Sequence, residues 1–90
     1  MKTITLTVVN PIGLHARPAS MLAKLSNKFD CDITVYKNGD CDCIHEPKNI
    51  ISIIAMGAVK GDKLTFSMDG VDETEAITAI QEFIENGTGE

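Results

Sequence analysis

The sequence predicts an α+β fold, and two kinds of pattern carry that prediction. Apolar and polar residues alternate through Ile4 to Val9, Cys31 to Tyr36 and Lys63 to Met68, the two-residue period of strands with one buried face. Other segments place apolar residues three and four apart, the period of a helix packed along one side. The order that results is strand, helix, strand, strand, helix, strand, helix, which is too interrupted for a doubly wound parallel sheet.

Ile4, Leu6 and Val8 alternate with Thr3, Thr5 and Thr7 in the first strand. Asn10, Pro11 and Gly13 then make a turn-rich loop. The first helix is expected from about Ala16 to Lys28, with Pro18 in its first turn, where a missing N–H costs nothing. Its core stripe is Ala19, Leu22, Ala23, Leu25 and Phe29, with Ser20, Lys24 and Asn27 on the other side. The second strand ends at Lys37-Asn38-Gly39-Asp40, a hairpin turn of the Asn-Gly kind. A third strand is expected over Asp40 to Ile44, short and at an edge because Asp42 sits where an apolar residue should be.

Pro47 closes that strand, Asn49 caps the second helix over Ile50 to Met56, and Gly57 ends it. Ile50, Ile53 and Ile54 fit its core face, whereas Ile51 alone, or Ile51 together with Ile50, points elsewhere. The fourth strand alternates Leu64, Phe66 and Met68, and Asp69-Gly70 turns the chain. Asp72 is expected to cap the last helix, with Glu75 completing a capping box. Ala76, Ile77, Ile80, Phe83 and Ile84 form that helix's core stripe; Asn86-Gly87 stops it, and Thr88 to Glu90 should fray.

Ninety residues with 43% apolar content suit a single domain over 1–90 that needs neither metal nor disulfide to fold. Thirteen acids against eight bases argue against a nucleic-acid partner, which requires clustered Lys and Arg. The net charge of −5 instead suits docking to a basic surface. Met1-Lys2-Thr3 leads straight into the first strand without an apolar stretch for a signal peptide or membrane span. Cys31, Cys41 and Cys43 are odd in number, which fits a reducing compartment. Both features lead us to expect a cytoplasmic protein.

His15 stands where the first strand hands over to a helix. The first turn of a helix offers unpaired N–H groups and the positive end of its dipole, so it is a natural place for an anion. The neutral imidazole is a nucleophile, and the helix start and Arg17 both disfavour its cation. Once a phosphoryl group is attached, the same N–H groups and Arg17 become donors to its oxygens. A plainer reading makes His15 a capping side chain with Arg17 solvated beside it.

Gly13-Leu14-His15-Ala16-Arg17-Pro18-Ala19 resembles the phosphorylation-site signature of the HPr family, the histidine-containing phosphocarriers of the bacterial phosphoenolpyruvate:sugar phosphotransferase system. The resemblance extends to Asn38-Gly39, the run ending at Met56-Gly57, the Gly61-Asp62 turn and the acidic last helix. It implies an open-faced β-sandwich, a four-stranded antiparallel sheet with three helices on one face. It further implies that enzyme I phosphorylates His15 on Nδ1 and that the group passes to an enzyme IIA domain of a sugar permease. Arg17 and the backbone of Ala16 and Arg17 would hold the phosphate, while Ser20, Lys24, Ile50 and Ile51 would meet partners. The protein would be a monomer without cofactor, a phosphocarrier and not an enzyme, with regulatory proteins as further partners. Members from many Gram-positive bacteria carry a regulatory phosphoserine where this chain has Asn49, after a segment about three residues longer than usual; Asn49 has no hydroxyl, so no regulatory phosphosite is expected.

Two other classes of function compete. An HPr-like regulator could signal phosphorylation state by binding a transcription factor or an enzyme. A metal or redox sensor could use Cys41, Cys43 and His45, which alternate and would share one face of an extended strand. Three ligands within five residues cannot alone surround a tetrahedral ion, and no second ligand pair follows, so no metal is expected. A Cys-His catalytic pair lacks an accompanying oxyanion loop, and no glycine-rich nucleotide loop appears anywhere in the chain.

Overall fold

The computed structural model describes residues 1–86, so the expected helix stop at Gly87 and the fraying beyond it lie outside the described residues. In chain order the elements are β1 (Lys2–Thr7), α1 (Ala16–Ser26), β2 (Asp32–Lys37), α2 (Ile50–Met56), β3 (Lys63–Asp69) and α3 (Glu73–Glu85). The strands form a sheet in the order β1-β3-β2, antiparallel at both contacts. Register follows the alternation: Ile4 faces Phe66, which faces Val35, and Met68 faces Ile33. That side, with Leu6 and Leu64, packs with Leu22, Ile53, Ile80 and Ile84 of the helices in one apolar cluster. The opposite side is polar, and the Thr5 and Thr65 hydroxyls meet there at 3.0 Å. No helix of the described residues is long and apolar enough to cross a membrane.

The fold class is as expected, but among the described residues the strand expected over Asp40 to Ile44 does not form. Asn38 and Gly39 take the positive φ values the hairpin turn requires, 53° and 77°, and Asp40 N–H closes the turn on Lys37 C=O at 3.0 Å. Instead of running back beside β2, the chain turns again. Cys41 N–H bonds Gly39 C=O at 2.9 Å and Cys43 N–H bonds Asp40 C=O at 3.1 Å. With Asp40 and Asp42 there is no apolar face to hold this segment on the core, and local turns satisfy its backbone instead. It meets β2 at a single bridge, where Val35 and His45 exchange both backbone bonds at 2.8 and 2.9 Å.

The cap expected at α3 also differs. Asp72 occupies the N-cap position, yet its side chain does not bond its own helix. Its carboxylate accepts the N–H groups of Asp30 at 2.7 Å and Cys31 at 2.9 Å, joining the start of α3 to the start of β2. Two backbone donors at a turn, otherwise without acceptors, outcompete the local box. The Gly70 N–H is taken by Glu73, at 3.2 Å, and Glu75 plays no capping part in this arrangement. At the end of α1, two residues shorter than expected, Asn27 donates to Ala23 C=O and to Lys48 C=O, both at 2.8 Å. Lys48 Nζ in turn reaches Phe29 C=O at 2.7 Å, so the approach to α2 is tied to the end of α1.

The loop after β1 is clamped to the connection between α2 and β3. Val8 N–H bonds Asp62 C=O, Gly61 N–H bonds Val8 C=O, and Leu14 N–H bonds Ala58 C=O, each at 2.9 Å. Gly13 makes this possible: its φ is +81°, and a Cβ there would lie 2.5 Å from the Ala58 oxygen and 2.8 Å from Val59 Cα. Gly13→Ala should therefore cost at least about 2 kcal/mol in urea denaturation, since strain and backbone collision act together.

Three carboxyls sit below the usual carboxylate range because the fold hydrogen-bonds their charged forms. The Asp30 N–H, followed by other groups at Cys31, lowers Asp72; the Val59 N–H and then the Asn38 amide lower Asp62; the Gly70 N–H lowers Glu73. A depressed folded value gives stability that is present above the unfolded value and lost as pH falls through the folded one. Unfolding midpoints should therefore drop as pH goes below about 4. Asp72→Asn should lower the midpoint at pH 7, and its gap to wild type should narrow on acidification.

Candidate functional site

The turn that presents His15 is built by Asn10. This residue is only 2% exposed, its Oδ1 accepts the Ile12 N–H at 2.9 Å, and its carbonyl accepts the Gly13 N–H at 3.0 Å. With Leu14 buried and bonded to Ala58, the chain arrives at His15 on a fixed course. His15 takes the N-cap position of α1 with extended backbone (φ −76°, ψ −171°), and its carbonyl accepts the Ala19 N–H at 2.9 Å. Its ring does not cap the helix. The plainer reading of His15 as a capping side chain therefore fails.

The ring is half-buried, and Nε2 is buried with no hydrogen-bond partner among the described residues. Around it lies the positive end of the helix. Pro18 has no N–H and the Ala19 N–H is already used, so the amides that the helix ladder leaves out are those of Ala16 and Arg17. Both residues are exposed. No acidic residue stands in the first turn to neutralise the positive helix end. Pro18 and Ala19 are buried, fixing the turn on the core.

Helix α2 packs against α1 and brings its own surface. Asn49 caps it as expected, accepting from Ile51 N–H at 2.9 Å and Ser52 N–H at 3.4 Å, and Gly57 ends it in the left-handed conformation. Ile51 is 70% exposed. Ile54, expected on the core face, is 44% exposed. The buried side of α2 centres on Ile53 and Met56, and at about 100° per residue this rotates Ile54 toward Ile51. Ile50 is half-buried against the core, Ser20 is half-buried, and Lys24 is exposed in the last turn of α1. Ile12 and Val59 are also exposed, on the two loops that touch at Gly13. Single apolar residues in loops carry no periodic signal, which is why the sequence pattern does not reveal them.

Cys31 is buried, and burial followed by the neighbouring Asp72 pushes its thiol up to about 11. Cys41 and Cys43 are exposed. Among the described residues, no three His, Cys, Asp or Glu side chains converge as metal ligands would.

The model of the PTS HPr component phosphorylation site matches residues 2–86. The chain belongs to the HPr family. It is 35% identical over 85 residues to the phosphocarrier protein HPr of Mycoplasma pneumoniae, with 94% of each chain covered. HPr of Thermoanaerobacter tengcongensis superposes with a TM-score of 0.90 at 37% identity, covering 100% of this chain and 98% of the other. An HPr dimer from the same organism matches with a TM-score of 0.75, also at 37% identity, with both chains fully covered. Membership places the protein among the phosphocarriers of the phosphotransferase system. Asn49 caps α2 through its side chain: Asn49→Ala should cost about 1 kcal/mol in thermal or urea unfolding, and Asn49→Ser should restore most of it.

Proposed function

We propose that this protein relays a phosphoryl group as phospho-His15, in the cytoplasm, from phospho-enzyme I to an enzyme IIA domain of a sugar permease. The observation that carries the reading is the helix start itself: an imidazole at the N-cap that does not cap, at the positive end of a helix with no acid in its first turn. Burial of Nε2 supports Nδ1, the nitrogen that the family resemblance implies, as the one that attacks phosphorus. Its lone pair forms the new N–P bond as the donor's bond to phosphorus breaks, and the reverse exchange delivers the group to the acceptor histidine. The Ala16 and Arg17 amides and the Arg17 guanidinium then donate to the phosphoryl oxygens, with charge-assisted bonds of about 1.5 to 3 kcal/mol each.

Partners supply the phosphate, so no substrate pocket is required. The exposed Ile51 and Ile54 offer apolar contact, and Lys24 and Ser20 offer polar contact on α1. Ile50, half-buried against the core, has a smaller part in docking.

Incubation with phosphoenolpyruvate and enzyme I tests the reading by mass spectrometry. The protein should gain one acid-labile phosphoryl group and lose it to an acceptor A domain, and His15→Ala should abolish the gain. Arg17→Ala should slow transfer at least about tenfold with little change in melting temperature. Ile51→Glu should weaken binding to enzyme I with normal stability. A phosphorylated His15→Ala protein would refute the assignment.

A further inference from the structure

The segment that fails to form a strand brings together a second reactive group. Cys43 Sγ lies 3.5 Å from His45 Nε2, and the other ring nitrogen, Nδ1, lies 3.4 Å from Ser52 Oγ. The Ser52 hydroxyl also accepts the Glu46 N–H at 2.9 Å. His45 is fixed independently through its backbone, which exchanges both bonds with Val35. Main chain and hydroxyl together hold the ring with Nε2 turned to the sulfur. A thiol at hydrogen-bonding distance from an oriented imidazole has a built-in proton acceptor, as a cysteine nucleophile requires.

This pair opens into a cavity of about 210 Å³ lined by Lys37, Asp40, Cys43, His45, Ala55 and Met56. The cavity has room for a cysteine-sized group. Lys37 and Asp40 supply one charge of each sign, matching the carboxylate and ammonium of an amino acid. Neither the phosphoryl site at His15 nor the apolar face of Ile51 is part of it.

We propose that Cys43 is a thiol–disulfide exchange site for small zwitterionic disulfides of the cystine type, with His45 as its proton acceptor and Ser52 as the residue that positions His45. In the exchange the Cys43 sulfur attacks one sulfur of the disulfide. The bond between the two disulfide sulfurs breaks, a mixed disulfide forms on Cys43, and a free cysteine leaves. The proton lost by Cys43 passes through His45 to the departing sulfur, so one thiol is consumed and one released with no net oxidation.

The chain contains its own controls. Cys41 is also exposed, and no hydrogen bond joins it to an imidazole among the described residues; Cys31 is buried, with its thiol pushed up to about 11. The test is site-resolved mass spectrometry of the full chain during timed incubation with cystine at neutral pH. Cys43 should form the mixed disulfide at least about tenfold faster than Cys41, while Cys31 stays reduced. His45→Gln should remove the difference between Cys43 and Cys41, and its fold should survive because the bridge to Val35 uses main-chain atoms. Ser52→Ala should reduce the difference, and cystamine, which lacks carboxylates, should react more slowly than cystine at Cys43 but not at Cys41. Modification of Cys41 as fast as Cys43 in the wild type, or an unchanged ratio in His45→Gln, would overturn the proposal. None of these readouts depends on His15.

Discussion

The close approach of Gly13 to the Ala58–Val59 backbone is the contact on which the reactive end of this protein depends. Any side chain at that position would collide with a carbonyl, and the loop after β1 would have to lift away. Three backbone bonds from Val8, Gly61 and Leu14 would then lose their alignment. His15 is one residue beyond the clamped stretch, so its place at the helix start is inherited from a turn it does not itself make. Neither helix propensity nor the chemistry of the ring would locate it without this backbone seam.

Local patterns in the sequence are enough for three of the four expected strands and for all three helices. Alternation at Leu64, Phe66 and Met68 translates directly into the central strand, and the Gly13-to-Ala19 stretch into loop, N-cap and first turn. What escaped was decided by competition between distant groups. The pattern makes Asp72 a cap, but amides forty-odd residues earlier in the chain claim its carboxylate. The pattern puts Ile54 inward because six apolar residues in seven leave the orientation of a short helix ambiguous. Only the packing of Ile53 and Met56 settles it.

The segment between β2 and α2 shows the same limit from another side. Alternation of Cys41, Cys43 and His45 reads as an extended strand, which Asp42 between the two cysteines limits to a short one at an edge. The structure keeps the relation between Cys43 and His45 but reaches it through consecutive turns, with one bridge at Val35. Asn27 and Lys48 anchor the far end of the segment, so a stretch without regular structure is nevertheless held at several points.

Pro18 has a kinetic meaning that its tolerance in a first turn conceals. An ordinary residue there would add a third amide to the cradle beside His15, and a chelate of that kind lengthens the residence time of any anion it grips. The imino acid removes that option permanently, whatever happens to the side chains nearby. For the relay proposed above, a main chain that offers one donor fewer at this turn favours a short stay of the phosphoryl group.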